Sequence, residues 1–330
     1  MAKSSSQGWA LDREGDAERN QAVKQRKYEE ARLKFEEAER LTTDESDRAI
    51  YRDHQALMLQ KLGDILHSNA DYTGAIQKYD AAIALTNDKA YHVDKATSLI
   101  ELDRYQEAIT SSEEALRLDS DYNLAKDIKA TALCSQGWAL DREADAEGNE
   151  AVKQRKYEEA RLKFEEAERL TTDECDRDIY IKNQALMLNR IGCALDQEGK
   201  DEGNQAVKQI KYEEARLKFE EAERLTTDES DRTLYRKNQA LMLKKLGDIL
   251  DEIGSTIQLL SDIEYDNPLL NDSSFLQLFT KTYGMSATSR LIDLTTVLTE
   301  DHREELKEIV SDPGAIEILG NLIGEQYDFS

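Results

Sequence analysis

Apolar residues recur at intervals of three and four along most of this chain. In the stretch KYEEARLKFEEAERLTTDE, Tyr28, Ala31, Phe35, Ala38 and Leu41 fall on one side of a helix, a side that must be buried. The opposite side carries Glu30 with Lys34 and Glu36 with Arg40. Each acid stands four residues before a base, which supports the helix by roughly 0.2–0.5 kcal/mol per pair and needs no function. Thr42-Thr43-Asp44-Glu45 follows at once and reads as a capping box with a Thr side chain at the next N-cap. Before Tyr28, Gln21 to Lys27 continues the helical pattern with Ala22 and Val23 inward. Each unit is therefore expected to be a helix pair joined by a short turn.

The same 19 letters recur at residues 27–45, 156–174 and 211–229. Their structural positions are Tyr28, Ala31, Phe35 and Ala38, then Tyr157, Ala160 and Phe164, then Tyr212, Ala215 and Phe219. Two divergent segments keep the spacing, through Tyr72, Ala75 and Tyr79 and through Tyr105 and Ala108. The spacing Tyr-x-x-Ala-x-x-x-Phe-x-x-Ala resembles the second helix of the tetratricopeptide repeat, whose small residues let paired helices pack closely. That resemblance implies an all-α, right-handed superhelical solenoid of helix-turn-helix units at about 12–45, 56–88, 89–122, 141–174 and 196–229, forming an array over 1–254. It also implies a concave surface, lined mainly by the first helices, that binds extended or helical peptides.

The family's period is 34 residues, whereas the tyrosines here are 44, 33, 52 and 55 residues apart. The surplus contains AIYRDHQALMLQKLGDIL, IYIKNQALMLNRIGCAL and SQGWALDRE, all helical in pattern, so lengthened first helices are expected. One from about Asp176 to Gln209 would run near 50 Å at about 1.5 Å per residue unless Gly199 or Gly203 bends it. Trp9 and Trp138 lie in copies of SQGWALDRE, beside Ala and Leu at helical spacing, and are expected to pack on a neighbouring helix. Residues 255–330 hold both prolines and no copy of the repeat. Capping signals at Asp301 and Asp312-Pro313, with stripes at Leu291, Leu294, Leu298 and at Ile316, Leu319, Ile323, indicate a helical cap over the last repeat or a small docking module.

Composition narrows the partners. The net charge of −25 repels phosphate backbones and anionic headgroups, leaving a protein or peptide partner, basic or apolar, rather than nucleic acid or membrane. The beginning, MAKSSSQGWALDRE, lacks a signal peptide's apolar core, and no run of about 18 apolar residues could span a bilayer. Cys134, Cys175 and Cys193 are odd in number with no CxxC spacing, which suits reduced thiols and a cytoplasmic setting. No catalytic, metal or cofactor motif is legible: Asp119-x-Asp121-x-Asn123 lacks the Gly and Glu of a calcium loop, and helix-surface carboxylates make poor acid–base pairs. A non-enzymatic scaffold or adaptor is the expected function.

Lys200, Asn204 and Lys208 stand four residues apart, as if on one side of a first helix, with Asn238 near the start of the next. This resembles the carboxylate-clamp repeats that hold the acidic tails of the Hsp70 and Hsp90 chaperones, and implies a chaperone-linked adaptor as the alternative. No later repeat supplies the family's further Lys and Arg, and Asp16 and Asp145 occupy the place of Lys200 in the earlier copies. Asn149, Asn183 and Asn20 complete the set of candidate partner-binding residues. A self-associating helical rod is the remaining alternative.

Overall fold

A computed structural model describes residues 2–261, with side chains described for 4–250. Among the described residues there are eleven helices and no strand. They are α1 (Ala2–Ala17), α2 (Gln21–Leu41), α3 (Glu45–Ser68), α4 (Tyr72–Leu85), α5 (Lys89–Ile100), α6 (Tyr105–Leu118), α7 (Asn123–Asp145), α8 (Glu150–Leu170), α9 (Glu174–Asp201), α10 (Gln205–Leu225) and α11 (Glu229–Ser261). The described residues are all-α, and consecutive helices pack on each other as in a tetratricopeptide-type array. It divides into two compact units, one of Met1–Arg142 with Glu159–Asn183, the other of Glu143–Glu158 with Gln184 onward.

Within each unit the helix pairs meet through an aromatic ring laid on a glycine. Phe35 of α2 lies over Gly8 of α1, and Tyr79 of α4 over Gly63 of α3; in the second unit Phe219 of α10 lies over Gly192 of α9. A Cβ on Gly63 would stand 2.5 Å from the Tyr79 ring and one on Gly192 2.6 Å from Phe219, closer than atoms pack. The repeat alanines Ala31, Ala38, Ala75, Ala82, Ala215 and Ala222 are fully buried beside these rings. In the shortest pair, Ala96 takes the glycine's place in α5 and Ser112 the ring's place in α6, and both are buried.

The structure relocates the surplus residues. QAVKQRK is the beginning of the second helix α2, not part of a first helix: α2 has 21 residues, against 14 in α4, where Tyr72 opens the helix. Seven residues are two helical turns, so Tyr28 and Phe35 keep one side of the helix. The first helix lengthens to match, and Gly15, seven residues after Gly8, receives the Tyr28 ring. The hairpins consequently start earlier than the expected units, at Ala2, Glu45, Asn123 and Glu174.

The single long helix expected over 176–209 is two helices. Helix α9 has 28 residues, about 42 Å at the usual rise, and α10 starts at Gln205 because the Asn204 side chain accepts the N–H groups of Ala206 and Val207. Asp44, not a threonine, caps α3, accepting from Ser46 and Asp47, while the Thr42 hydroxyl accepts from the Asp44 N–H. Leu41 and Ala22, expected inward, are exposed at the ends of α2, outside the span that α1 and α3 cover. Helix α11 runs on to Ser261; the cap expected at 255–330 lies, beyond that residue, outside the described residues.

Substituting Gly63 or Gly192 by Ala is expected to lower stability by about 1–3 kcal/mol, the ring's displacement outweighing the gain in helix propensity. Gly203→Ala, in a loop with nothing within 4 Å of a Cβ, should change it by less than about 0.5 kcal/mol. Thermal and urea unfolding followed by circular dichroism measure the contrast; equal effects at all three positions would remove the close-approach account.

Candidate functional site

Three hairpins carry one polar cluster where a first helix meets the next. In the first unit the Tyr28 hydroxyl donates to Asp16 at 2.8 Å, and Lys61 of α3 donates to Asp16 at 2.8 Å and to Asp12 at 2.6 Å. The ammonium lies 5.1 Å from the Tyr28 ring centre, a cation–π contact worth roughly 0.5–2 kcal/mol. The Lys61 hydrogen bond, first, and that of Tyr28 hold the Asp16 carboxyl below its usual range. In the second unit Tyr157 donates to Asp145 at 2.7 Å, and Arg190 donates to the same carboxylate at 2.6 Å, with the guanidinium 5.6 Å from the ring. Burial, then the bond to Asp145, pushes the Tyr157 hydroxyl up to about 12.

The third copy departs from this pattern. Lys200 stands where Asp16 and Asp145 do, and it pairs with Asp196 at 2.7 Å. Lys245 also binds Asp196 and lies 4.8 Å from the Tyr212 ring. One carboxylate thus holds two ammonium groups, and the Lys200 pKa is raised, first by its bond to Asp196.

The clamp candidates are not on one side of one helix. Lys200 is in α9, Asn204 is the N-cap of α10, and Lys208 is inside α10. Asn20 caps α2 and accepts from Val23 at 3.2 Å; Asn149 accepts from Val152 at 3.1 Å at the start of α8. Asn238 donates to Asn189 at 2.9 Å, and Asn183 is buried. Lys200 is therefore engaged in an ion pair within α9, Asn204, Asn20 and Asn149 start helices, and Asn238 ties α11 to α9. Asparagine caps and first-helix lysines look alike in sequence, because only the position of the loop separates them.

Beside the first cluster is an aromatic group. Trp9 packs edge-on against Phe35 at 5.2 Å and against His54 of α3 at 3.8 Å, and His54 stacks on Phe35 at 5.1 Å. Trp138 meets Phe164 in the same edge-on manner at 5.3 Å. Trp9 stays more than a third exposed, so it presents an apolar surface while anchored from below. His54 Nδ1 is buried with no protein hydrogen bond, and burial lowers the pKa of this histidine. The cysteines are unbridged, and burial raises the Cys134 thiol to about 11, which keeps it protonated and unreactive.

A shallow groove recurs at the junction of a second helix with the following first helix. In the first unit it is lined by Arg32, Glu36, Glu39, Arg40, Arg48 and Arg52 and has a volume of about 640 Å³. In the second, Arg216, Glu220, Glu223, Arg224, Arg232 and Arg236 line about 530 Å³. Glu39 joins Arg52 at 2.6 Å and Gln55 at 2.8 Å; Glu223 joins Arg236 and Gln239 at the same distances. These arginines were not picked out from sequence, although their recurrence at one place in each copy was the available signal. Alternating, largely paired charges suit a polar chain lying across them better than covalent chemistry.

These features define a helical-repeat protein whose recurrent geometry is structural and whose varied surface is polar. Residues 20–90 of the chain match the family model described as Tetratricopeptide repeat. Among solved structures, it is similar to a TPR repeats protein from Bacteroides fragilis NCTC 9343, at 16% identity, over 72% of this chain and 98% of that one, with a TM-score of 0.42. It is similar as well to a tetratricopeptide repeat protein from Parabacteroides merdae ATCC 43184 at 13% identity, over 72% and 99%, TM-score 0.30. A third is the apo form of the quorum sensor NprR from B. thuringiensis, 12% identical over 81% and 80%, TM-score 0.22. No curated protein matches the chain in sequence. No described helix is long and apolar enough to cross a membrane.

The depressed pKa of His54 sets a pH response. Protonation favours the unfolded state, so its cost is absent above the unfolded value of about 6.5 and grows as pH falls below it. His54→Asn, which installs the residue found at 183 and 238, should reduce the loss of Tm between about pH 7.5 and about pH 5.5. Parallel thermal scans check this; the same loss in both proteins would contradict it.

Proposed function

We propose that this chain is a non-enzymatic protein–protein interaction scaffold that binds a partner peptide along its first helices. The observation that carries the reading is Trp9, a large ring fixed by Phe35 and His54 yet more than a third exposed. Rigid, partly exposed tryptophans beside polar residues are what peptide-binding surfaces use as anchors. Asp12 and Asp16, near this ring through His54 and Lys61 of α3, add negative charge, and the net charge of −25 favours a partner with basic residues. Three unbridged cysteines suit a reducing compartment, and the cytoplasm is the location in this proposal. The carboxylate-clamp alternative receives no support from Lys200, Asn204 and Asn238, each of which is already bound within the chain.

The test is affinity capture by the full-length chain followed by mass spectrometry, with Trp9→Ala alongside. A captured protein should bind the variant on the order of tenfold more weakly, and its binding should weaken as salt rises from about 0.05 to about 0.5 M. Capture indifferent to Trp9 would overturn the site. Light scattering that shows concentration-dependent growth of the chain alone, with no captured protein, would replace the scaffold by a self-associating rod.

A further inference from the structure

Helix α11 repeats the central motif of α3 almost letter for letter. QALMLKKLGDIL at 239–250 differs from QALMLQKLGDIL at 55–66 only where Lys244 replaces Gln60. In α3 the edge of this motif is covered: Ala56 and Leu59 pack with Ala82 of α4 and Tyr91 of α5, and Tyr79 lies over Gly63. In α9 the corresponding Ala185 and Leu188 pack with Ala222 of α10 and Tyr235 of α11, and Phe219 lies over Gly192. On α11 the edge is bare among the described residues. Leu243 is 57% exposed, where Leu59 is 7% and Leu188 0% exposed; Ala240 is exposed, and nothing lies within 4 Å of a Cβ on Gly247.

The one substituted residue indicates what covers it. Gln60 donates to Asp94 of the next first helix at 2.6 Å, and Asn189, its counterpart in α9, accepts from Asn238 of the next first helix at 2.9 Å. This position therefore bonds the element that follows. In α11 it is an exposed lysine, with donors only, so its partner must supply a carboxylate or carbonyl oxygen. Residues 229–250 hold five bases and three acids, a local excess of positive charge, whereas 262–330 hold 14 acids and 4 bases. That same stretch carries the apolar stripes Leu291, Leu294, Leu298 and Ile316, Leu319, Ile323.

We propose that residues 262–330 bind back, within the same molecule, onto the edge of α11 formed by Ala240, Leu243, Lys244 and Gly247. A carboxylate of the segment pairs with Lys244, and an apolar stripe covers Leu243 and the open place at Gly247. The bare edge would otherwise leave apolar surface in water and offer a template for a second copy. This interaction is independent of the peptide-binding reading above, since it concerns α11, which belongs to a different compact unit from Trp9.

The experiment uses the full-length chain, as an equal mixture of isotope-labelled and unlabelled protein, treated with a zero-length amine–carboxylate cross-linker. Lys244 should be joined to an Asp or Glu of 262–330 in peptides of a single isotope. Hydrogen exchange should show protection in 262–330 that Lys244→Glu and Leu243→Asp each reduce on the order of tenfold, with α1 to α6 unchanged. If Leu243→Asp disturbs the array, Lys244→Glu supplies the comparison. Mixed-isotope cross-links would assign the edge to a second copy, and unprotected amides in 262–330 or exchange insensitive to Lys244→Glu would also overturn the proposal.

Discussion

The approach of an aromatic ring to a bare backbone governs this molecule. Tyr79 against Gly63 and Phe219 against Gly192 bring two helices closer than any side chain at the glycine would permit. The alanines on either side of the rings are then buried completely. Helix propensity argues against these glycines by about 1 kcal/mol each, so packing decides the residue. Where the ring is absent, as at Ser112, the corresponding first-helix residue is Ala96 and not glycine, as expected if it is the ring that excludes a Cβ.

That constraint explains how the hairpins grew without losing their register. Two turns inserted before Tyr28 and a matching extension of α1 reproduce the ring-on-glycine contact one heptad further along, at Gly15. An insertion far from a whole number of turns would have broken the alignment of the added turns with the buried side. The added turns also moved the inter-helix loop to Asn20, Asn149 and Asn204, whose side chains accept backbone N–H groups and so became caps.

The longer hairpins gained a polar tie between successive first helices. Tyr28 with Asp16 and Lys61, and Tyr157 with Asp145 and Arg190, each bury a hydroxyl against a carboxylate held by a cation. In the third copy the exchange of the aspartate for Lys200 is tolerated because Asp196, one turn earlier, takes both lysines. Variation among near-identical copies therefore falls on the ties between successive hairpins and on the surface, while the rings and alanines stay fixed.

Sequence alone determined that the repeats are helical, that they recur, and that Tyr28, Ala31, Phe35 and Ala38 are interior, though not that Ala22 and Leu41 would be exposed, because three-and-four spacing is a local property that any helix obeys. The packing of the tryptophans was legible for the same reason. Where one helix ended and the next began was not: QAVKQRK and the stretch from Asp176 to Gln209 are helical on either reading, and only the pairing of Gly15 with Tyr28 and Gly199 with Tyr212 places the turn. The roles of Lys200, Asn204 and Asn238 depended on that turn, so residues read as one row on a surface became a salt bridge, a cap and an interhelical bond. Such roles depend on which residues from distant parts of the chain meet, and that is decided by tertiary packing.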